Sequence, residues 1–216
     1  EVVWMGWVMV GVLATVIGVA GAAAAQEPAL WLNPLCQTLE LPYNGPFEQL
    51  DDGTLLVIDR NVLRKSTDGG STWEAVSGEI TPGLDINYGG HPGQFLQTRN
   101  GTVVVAYLDF TNYVFSWNDE KGAPNPECRL ELWAIRSTDG GKTWTDKQQL
   151  LPGYNADFMG FIQLESGRLV ATVEHLDPDL CRWVVMSFFS DDEGKSWQHG
   201  NVIDLGGHGH HDGAVE

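Results

Sequence analysis

Basic residues are scarce in this chain. Its 12 Lys and Arg stand against 29 Asp and Glu, a formal net charge of −17 at neutral pH. So acidic a surface repels phosphate backbones and anionic headgroups, which argues against a nucleic-acid partner and against an anionic membrane surface. Cysteine is scarce as well: Cys36, Cys128 and Cys181 are the three present. None falls in a CxxC or Cys/His spacing, so no zinc cluster is indicated and no metal or other cofactor is expected. In an exported protein three thiols allow one disulfide and one odd cysteine. Cys128 and Cys181 each lie nine residues before the Ser of a recurring turn, at equivalent places in successive repeats. Whether they pair depends on their separation in space, which spacing along the chain leaves open.

Charge is missing altogether from Val2 to Ala25, which read VVWMGWVMVGVLATVIGVAGAAAA. The run ends in alanines ahead of Gln26, a pattern suited to small-residue cleavage. Residues 1–25 therefore read as a signal peptide and the protein as exported: secreted, periplasmic or on the cell surface. The same run is long enough to span a bilayer, so an uncleaved membrane anchor is the alternative, and membrane contact is expected only in that case. No Lys or Arg precedes the run and residue 1 is Glu, which points to a start upstream or at Met5. Residues 26–45 form a lead-in.

Glycine, by contrast, is abundant, with 26 residues, and nine tryptophans accompany it. That usage leans toward β-structure. Much of it recurs in one turn: RKSTDGGSTW from Arg64 to Trp73, RSTDGGKTW from Arg136 to Trp144, and SDDEGKSW from Ser190 to Trp197. Ser66, Asp68, Gly70 and Trp73 keep the offsets of Ser137, Asp139, Gly141 and Trp144, and of Ser190, Asp192, Gly194 and Trp197. An Asp two residues into a tight turn accepts hydrogen bonds from nearby backbone N–H groups. A Gly two further on takes a positive φ without steric cost, and the Trp lays a large apolar face over the hairpin. These twelve residues are read as structural.

Ahead of each such turn stands a second hairpin: PFEQL-DDG-TLLVID, GQFLQT-RNG-TVVVAYLD and DFMGFIQL-ESG-RLVATVEHL. Each pairs two apolar runs across a short polar turn ending in Gly. Asn100-Gly101-Thr102 is formally a glycosylation sequon and more simply a hairpin turn. A third strand leads into the repeated turn and a fourth leaves it. Four antiparallel strands, here A to D, make a unit that cannot bury its faces alone, so copies stack about an axis. The predicted fold is all-β, a β-propeller of four-stranded antiparallel blades. Blades are expected over residues 46–83, 93–152 and 157–205, with a fourth beginning at 206–216.

The S-x-D-x-G-x-x-W boxes in this setting resemble the Asp-box, or BNR, repeats of the sialidase (neuraminidase) superfamily, and the resemblance covers Pro46 to Glu216. It implies a propeller of six blades, of which three are present here, so the chain is expected to be a fragment. It implies an exported glycoside hydrolase acting on terminal sugars, or a non-catalytic Asp-box propeller binding glycans or proteins. Either way the partner is a carbohydrate or glycoconjugate.

Within an up-and-down blade the A–B turn and the repeated C–D turn share one rim, and the B–C and D–A segments share the other. The first rim is filled by stereotyped turns, so the site is expected on the second. There Arg60, His91, Tyr113, Trp117, Tyr154, His175, His210, His211 and Asp212 are candidate substrate-binding residues. Aromatic faces suit the apolar side of a pyranose, while imidazoles and carboxylates suit its hydroxyls. Sialidases use a Tyr nucleophile, an exception to the two-carboxylate scheme. The resemblance pairs that Tyr with a Glu base, adds an Asp acid and clamps the substrate carboxylate with three Arg. Glu216, in GAVE, resembles the Glu, and Asp59 and Asp109 are the candidate acids. Asn44-Gly45-Pro46 occupies the place of the Arg-Ile-Pro motif carrying the first clamp Arg. The Tyr and the remaining Arg are expected beyond Glu216.

Overall fold

The computed structural model describes residues 33–36, 40–86 and 93–203. The expected signal peptide or anchor, the fourth-blade start and the candidates His91, His210, His211, Asp212 and Glu216 lie outside them. Residues 33–36 belong to a separate N-terminal unit, in which Cys36 donates its backbone N–H to Asn33 O. Among the described residues no helix is long and apolar enough to cross a membrane.

The rest is β-structure built as blades. In the first, β1 (Phe47–Gln49), β2 (Leu55–Asp59), β3 (Val62–Ser66) and β4 (Glu74–Glu79) form one antiparallel sheet in sequence order. In the second, β5 (Gln94–Gln97), β6 (Val103–Val114), β9 (Arg129–Ser137) and β10 (Thr145–Leu151) repeat that order. Between β6 and β9 a small hairpin is inserted, β7 (Trp117–Asn118) with β8 (Ala123–Pro124). In the third, β11 (Tyr154–Gln163), β12 (Leu169–Asp177), β13 (Arg182–Ser190) and β14 (Gln198–His199) follow. A single parallel bridge, Tyr154 to Leu130, joins the second and third blades where one chain turn carries D into A.

Apolar layers between blades make the core. Leu56, Ile58 and Leu63 of the first blade pack on Val103, Val105 and Tyr107 of the second. On the other side Leu108, Leu130 and Leu132 meet Val173, Val184 and Phe188 of the third. Since the side chains of β6 alternate between these layers, Val103 to Leu108 are all fully buried. This explains the unbroken apolar run VVVAYL, which lacks the polar alternation of a sheet wetted on one face. Burying each of its Val and Leu side chains contributes about 1.5–3 kcal/mol.

The repeated turns are nearly superposable hydrogen-bond units. Asp68 accepts from Ser66 Oγ at 2.7 Å, from Thr72 N at 2.8 Å and from Thr72 Oγ1 at 2.6 Å. Asp139 accepts the same three bonds from Ser137 and Thr143, and Asp192 from Ser190 and Ser196. The serine hydroxyl, buried in all three, accepts the N–H of Gly70, Gly141 or Gly194. Those glycines take φ of +92°, +93° and +78°. Trp73 and Trp197 close the unit by donating Nε1–H to Gly70 O and Gly194 O; Trp144 packs into the layer between the first two blades.

The two-rim expectation holds across a blade boundary. Glu193, inside the third turn, accepts from Thr98 and Thr102 hydroxyls and from Asn100 Nδ2, all around the β5–β6 turn. The A–B and C–D turns therefore share a rim. Asn100 is thus tied into a hairpin turn, with Gly101 at φ +89°.

Candidate functional site

The opposite rim is assembled from strand ends that run further than their sequence implies. β6 continues past Asp109 to Val114 through a bulge, pairing Val114 with Arg129. β11 begins at Tyr154, because Tyr154 and Asn155 pair with Leu176 and His175. Tyr113 and Tyr154, expected in the B–C and D–A segments, accordingly stand on strands, as does His175.

Two buried asparagines hold this rim. Asn61 Oδ1 accepts from Thr81 N and Oγ1, and its Nδ2 donates to Thr81 O, which fixes the chain leaving β4. Asn155 Nδ2 donates to Leu130 O and Leu151 O, and its Oδ1 faces His175 Nδ1 at 3.0 Å. Both satisfy backbone groups that would otherwise be buried unpaired.

Two connected clefts lie between the exit of β4 and the far end of β6. One of about 400 Å³ includes Thr81, Asp109, Trp144 and Lys147 in its wall. One of about 320 Å³ includes Asp85, Phe110 and Tyr113. Gly83, Leu84 and Thr111 line both. Asp109 therefore faces a cleft, and its Oδ1 accepts from Thr111 N at 2.9 Å. Beneath it Tyr107 is fully buried; burial, reinforced by the Asp109 charge, pushes its phenol well above the usual range. Lys147 lies with its ammonium 4.9 Å from the Trp133 ring centre, a cation held against an aromatic face.

The other candidates are dispersed. Asp59 ends β2 in an ion pair with Arg64 Nε at 2.9 Å. Arg60 occupies the tight B–C link at φ +57°, with its side chain in solvent. His175, read as a sugar ligand, is only 9% exposed, and burial lowers its pKa, so at neutral pH it is an uncharged residue of the sheet. Trp117 is exposed on the β7–β8 hairpin. Tyr113 and Tyr154 do come together, ring centres 6.2 Å apart. Burial, then a hydrogen bond with Tyr113, pushes the Tyr154 phenol upward, so it stays protonated. Cys128 and Cys181 are free thiols; Cys128 Sγ donates to Ser116 O.

Sequence reading missed Asn61, Asn155 and the hydroxyls of Thr72, Thr143 and Ser196. The hydroxyls carry a visible signal, a Ser or Thr four residues after each box Asp. The asparagines carry none, because Thr81, Leu130 and His175, which define them, lie 20 or more residues away.

Repeated Asp-box turns on one rim and open clefts on the other define an Asp-box β-propeller. Residues 97–216 match the BNR repeat-like domain family, and the chain belongs to that family. It is 27% identical over 158 residues to a sialidase from Micromonospora viridifaciens, covering 66% of this chain and 24% of that protein. Among solved structures it is similar to the α-L-arabinofuranosidase Arb93A of Fusarium graminearum, solved with an iminosugar inhibitor, at 17% identity and a TM-score of 0.50. That match covers 73% of this chain and 46% of the other, and it shows likeness of fold. An α-L-arabinanase of Penicillium chrysogenum complexed with arabinobiose matches at 16% identity and a TM-score of 0.48, covering 73% and 47%. The chain thus spans about a quarter of the curated relative's length and about half that of these solved structures.

Proposed function

We propose that this chain is part of an exported, sialidase-like glycoside hydrolase that removes terminal sugars from glycans. The observation that carries the reading is that Asp109, Thr111 and Lys147 line one cleft and Tyr113 the adjoining one, between the exit of β4 and the far end of β6. Such a cleft offers a sugar what it needs: aromatic faces for its apolar side, hydroxyl and carboxylate groups for its polar edge. The sialidase relative supports the choice of chemistry. Asp109 is the better candidate acid, because it faces the cleft while Asp59 is engaged by Arg64. Glu216 would support a tyrosine nucleophile supplied by the remainder of the propeller.

The decisive experiment is release of fluorophore from a panel of aryl glycosides, sialosides and arabinofuranosides included, by the intact protein and its Glu216→Gln variant. Turnover by the parent and its loss in the variant are expected. No turnover of any glycoside, or full turnover by the variant, would overturn the reading or the role of Glu216 respectively. A second reading, a propeller that binds glycans without cleaving them, is favoured by the Asp59–Arg64 ion pair, which ties up one of the two candidate acids. Glycan binding without turnover would establish it.

A further inference from the structure

The cleft does not end at Tyr113. From Phe110, whose ring centre is 5.7 Å from that of Tyr113, aromatic rings continue to Tyr154 at 6.2 Å, and from Tyr154 to Phe115 at 5.0 Å and Trp183 at 5.8 Å. Phe110 and Tyr113 belong to the cleft wall; Tyr154 and Trp183 belong to the third blade. Neighbouring rings are inclined by 36° to 62°, so they present separate faces rather than one flat sheet. Tyr113 is 47% exposed and Phe115 44%.

This exposure is built in. Phe115 precedes Ser116, whose backbone N–H donates to Cys128 Sγ and whose carbonyl accepts from Cys128 Sγ and Asn125 N. Its hydroxyl accepts from Asn125 Nδ2 and donates to Glu127. Arg129 Nε donates to Asn112 O on the other side of the segment. Fixing a segment costs conformational entropy, and here that ordering holds aromatic rings outward in water. What covers them must present apolar faces of its own to the exposed rings. It must also extend from the cleft, with which the track is continuous. A chain of sugar rings meets both conditions.

We propose that this track is an elongated subsite for the sugars that follow the terminal residue of a glycan, with Phe115 and Tyr113 as its stacking faces. The inference rests on reading the cleft as the terminal-sugar site. It makes the protein selective for oligosaccharide chains over isolated sugars.

The test is calorimetric titration of the intact protein with sialyllactose against N-acetylneuraminic acid, and arabinotriose against arabinose. In the series that binds, the oligosaccharide should bind roughly tenfold tighter than its terminal sugar, and Phe115→Ala should remove most of that advantage, given what a stacked aromatic contact contributes. Phe115→Trp should retain it, and Tyr113→Ala should act like Phe115→Ala. Affinity independent of chain length, an unaltered Phe115→Ala, no binding of any probe, or a change of oligomeric state in place of glycan affinity would each overturn the proposal. Length-dependent binding without turnover of any glycoside would sink the hydrolase reading and leave the track intact. Turnover without length dependence would do the reverse.

Discussion

Gly141 lies so close to Leu63 across the boundary between the first two blades that a β-carbon on it would overlap Leu63 Cδ2. Gly194 stands in the same relation to Val104, at 2.9 Å from Cγ1. The box glycine thus serves two ends at once. It supplies a positive φ to its own turn, and it lets that turn seat on the preceding blade. Gly141→Ala is expected to destabilise by about 2–5 kcal/mol, combining a strained backbone with overpacking. Gly140, at φ +74° with open space around it, separates the two effects. Gly140→Ala should cost only the backbone part, about 1–2 kcal/mol. Equal losses for the two variants in urea denaturation would remove the inter-blade clash from the account.

The box carboxylates make the fold acid-sensitive. Hydrogen bonds from Thr72 and Ser66 hold Asp68 down to about 2, and the matching bonds depress Asp139; at Asp192 burial pulls upward, and the bonds from Ser196 and Ser190 with the Arg136 charge outweigh it. In the unfolded chain such groups titrate near 3.9. Their contribution is therefore complete above about pH 4 and is lost as pH falls through the folded-state values. The melting temperature should drop between about pH 4 and pH 2. In Asp68→Asn the drop should be smaller, since one depressed carboxylate is gone. An identical pH profile for the variant would show that the turn bonds do not set acid stability.

His175 adds a separate dependence at higher pH. Burial beside Asn155 lowers its pKa, so the folded protein holds it neutral while the unfolded chain protonates it near 6.5. Stability from this residue is full above about pH 6.5 and declines as pH falls toward the folded-state value. His175→Gln, which keeps a hydrogen-bonding group opposite Asn155, should flatten the slope between about pH 6.5 and 5. Denaturation midpoints across that range check it; an unchanged slope would mean the imidazole takes up its proton in the folded state as well.

Local chemistry made the architecture legible. A turn of Ser, Asp, Gly and Trp is closed by residues at most four apart, so its bonds are written in consecutive letters, and three copies in register announced blades. The strand ends were not legible, because Val114 and Tyr154 are extended by partners elsewhere in the chain, Arg129 and Leu176. The same cause hid the site's supports. Asn61 is defined by Thr81, and Asn155 by Leu130 and His175, none adjacent in sequence. His175, read as a rim residue at the end of RLVATVEHL, is instead drawn into the buried sheet by pairing with Val184. Tyr113 and Tyr154, both read as residues of one rim, stand 6.2 Å apart, while Phe115 and Trp183, which extend their contact, carry no polar signature.

The two candidate acids can be told apart by what each side chain touches. Asp59 is bound to Arg64, with both side chains about 30% exposed, and an exposed pair of this kind is worth about 0–1 kcal/mol. Asp109 spends one oxygen on Thr111 N and lies in the wall of the larger cleft. General acid catalysis needs a carboxyl within reach of the departing oxygen and contributes typically about 10²–10⁴ in rate. In the intact protein Asp109→Asn should therefore lower kcat toward its glycoside by at least about 100-fold, with an unchanged melting temperature. Asp59→Asn should lower stability by at most about 1 kcal/mol and leave kcat within about twofold. Substrates with better leaving groups need less protonation, so the Asp109→Asn deficit should shrink as leaving-group pKa falls. That dependence distinguishes proton donation from mere support of the cleft: a deficit constant across leaving groups would assign Asp109 to binding and reopen the search for the acid.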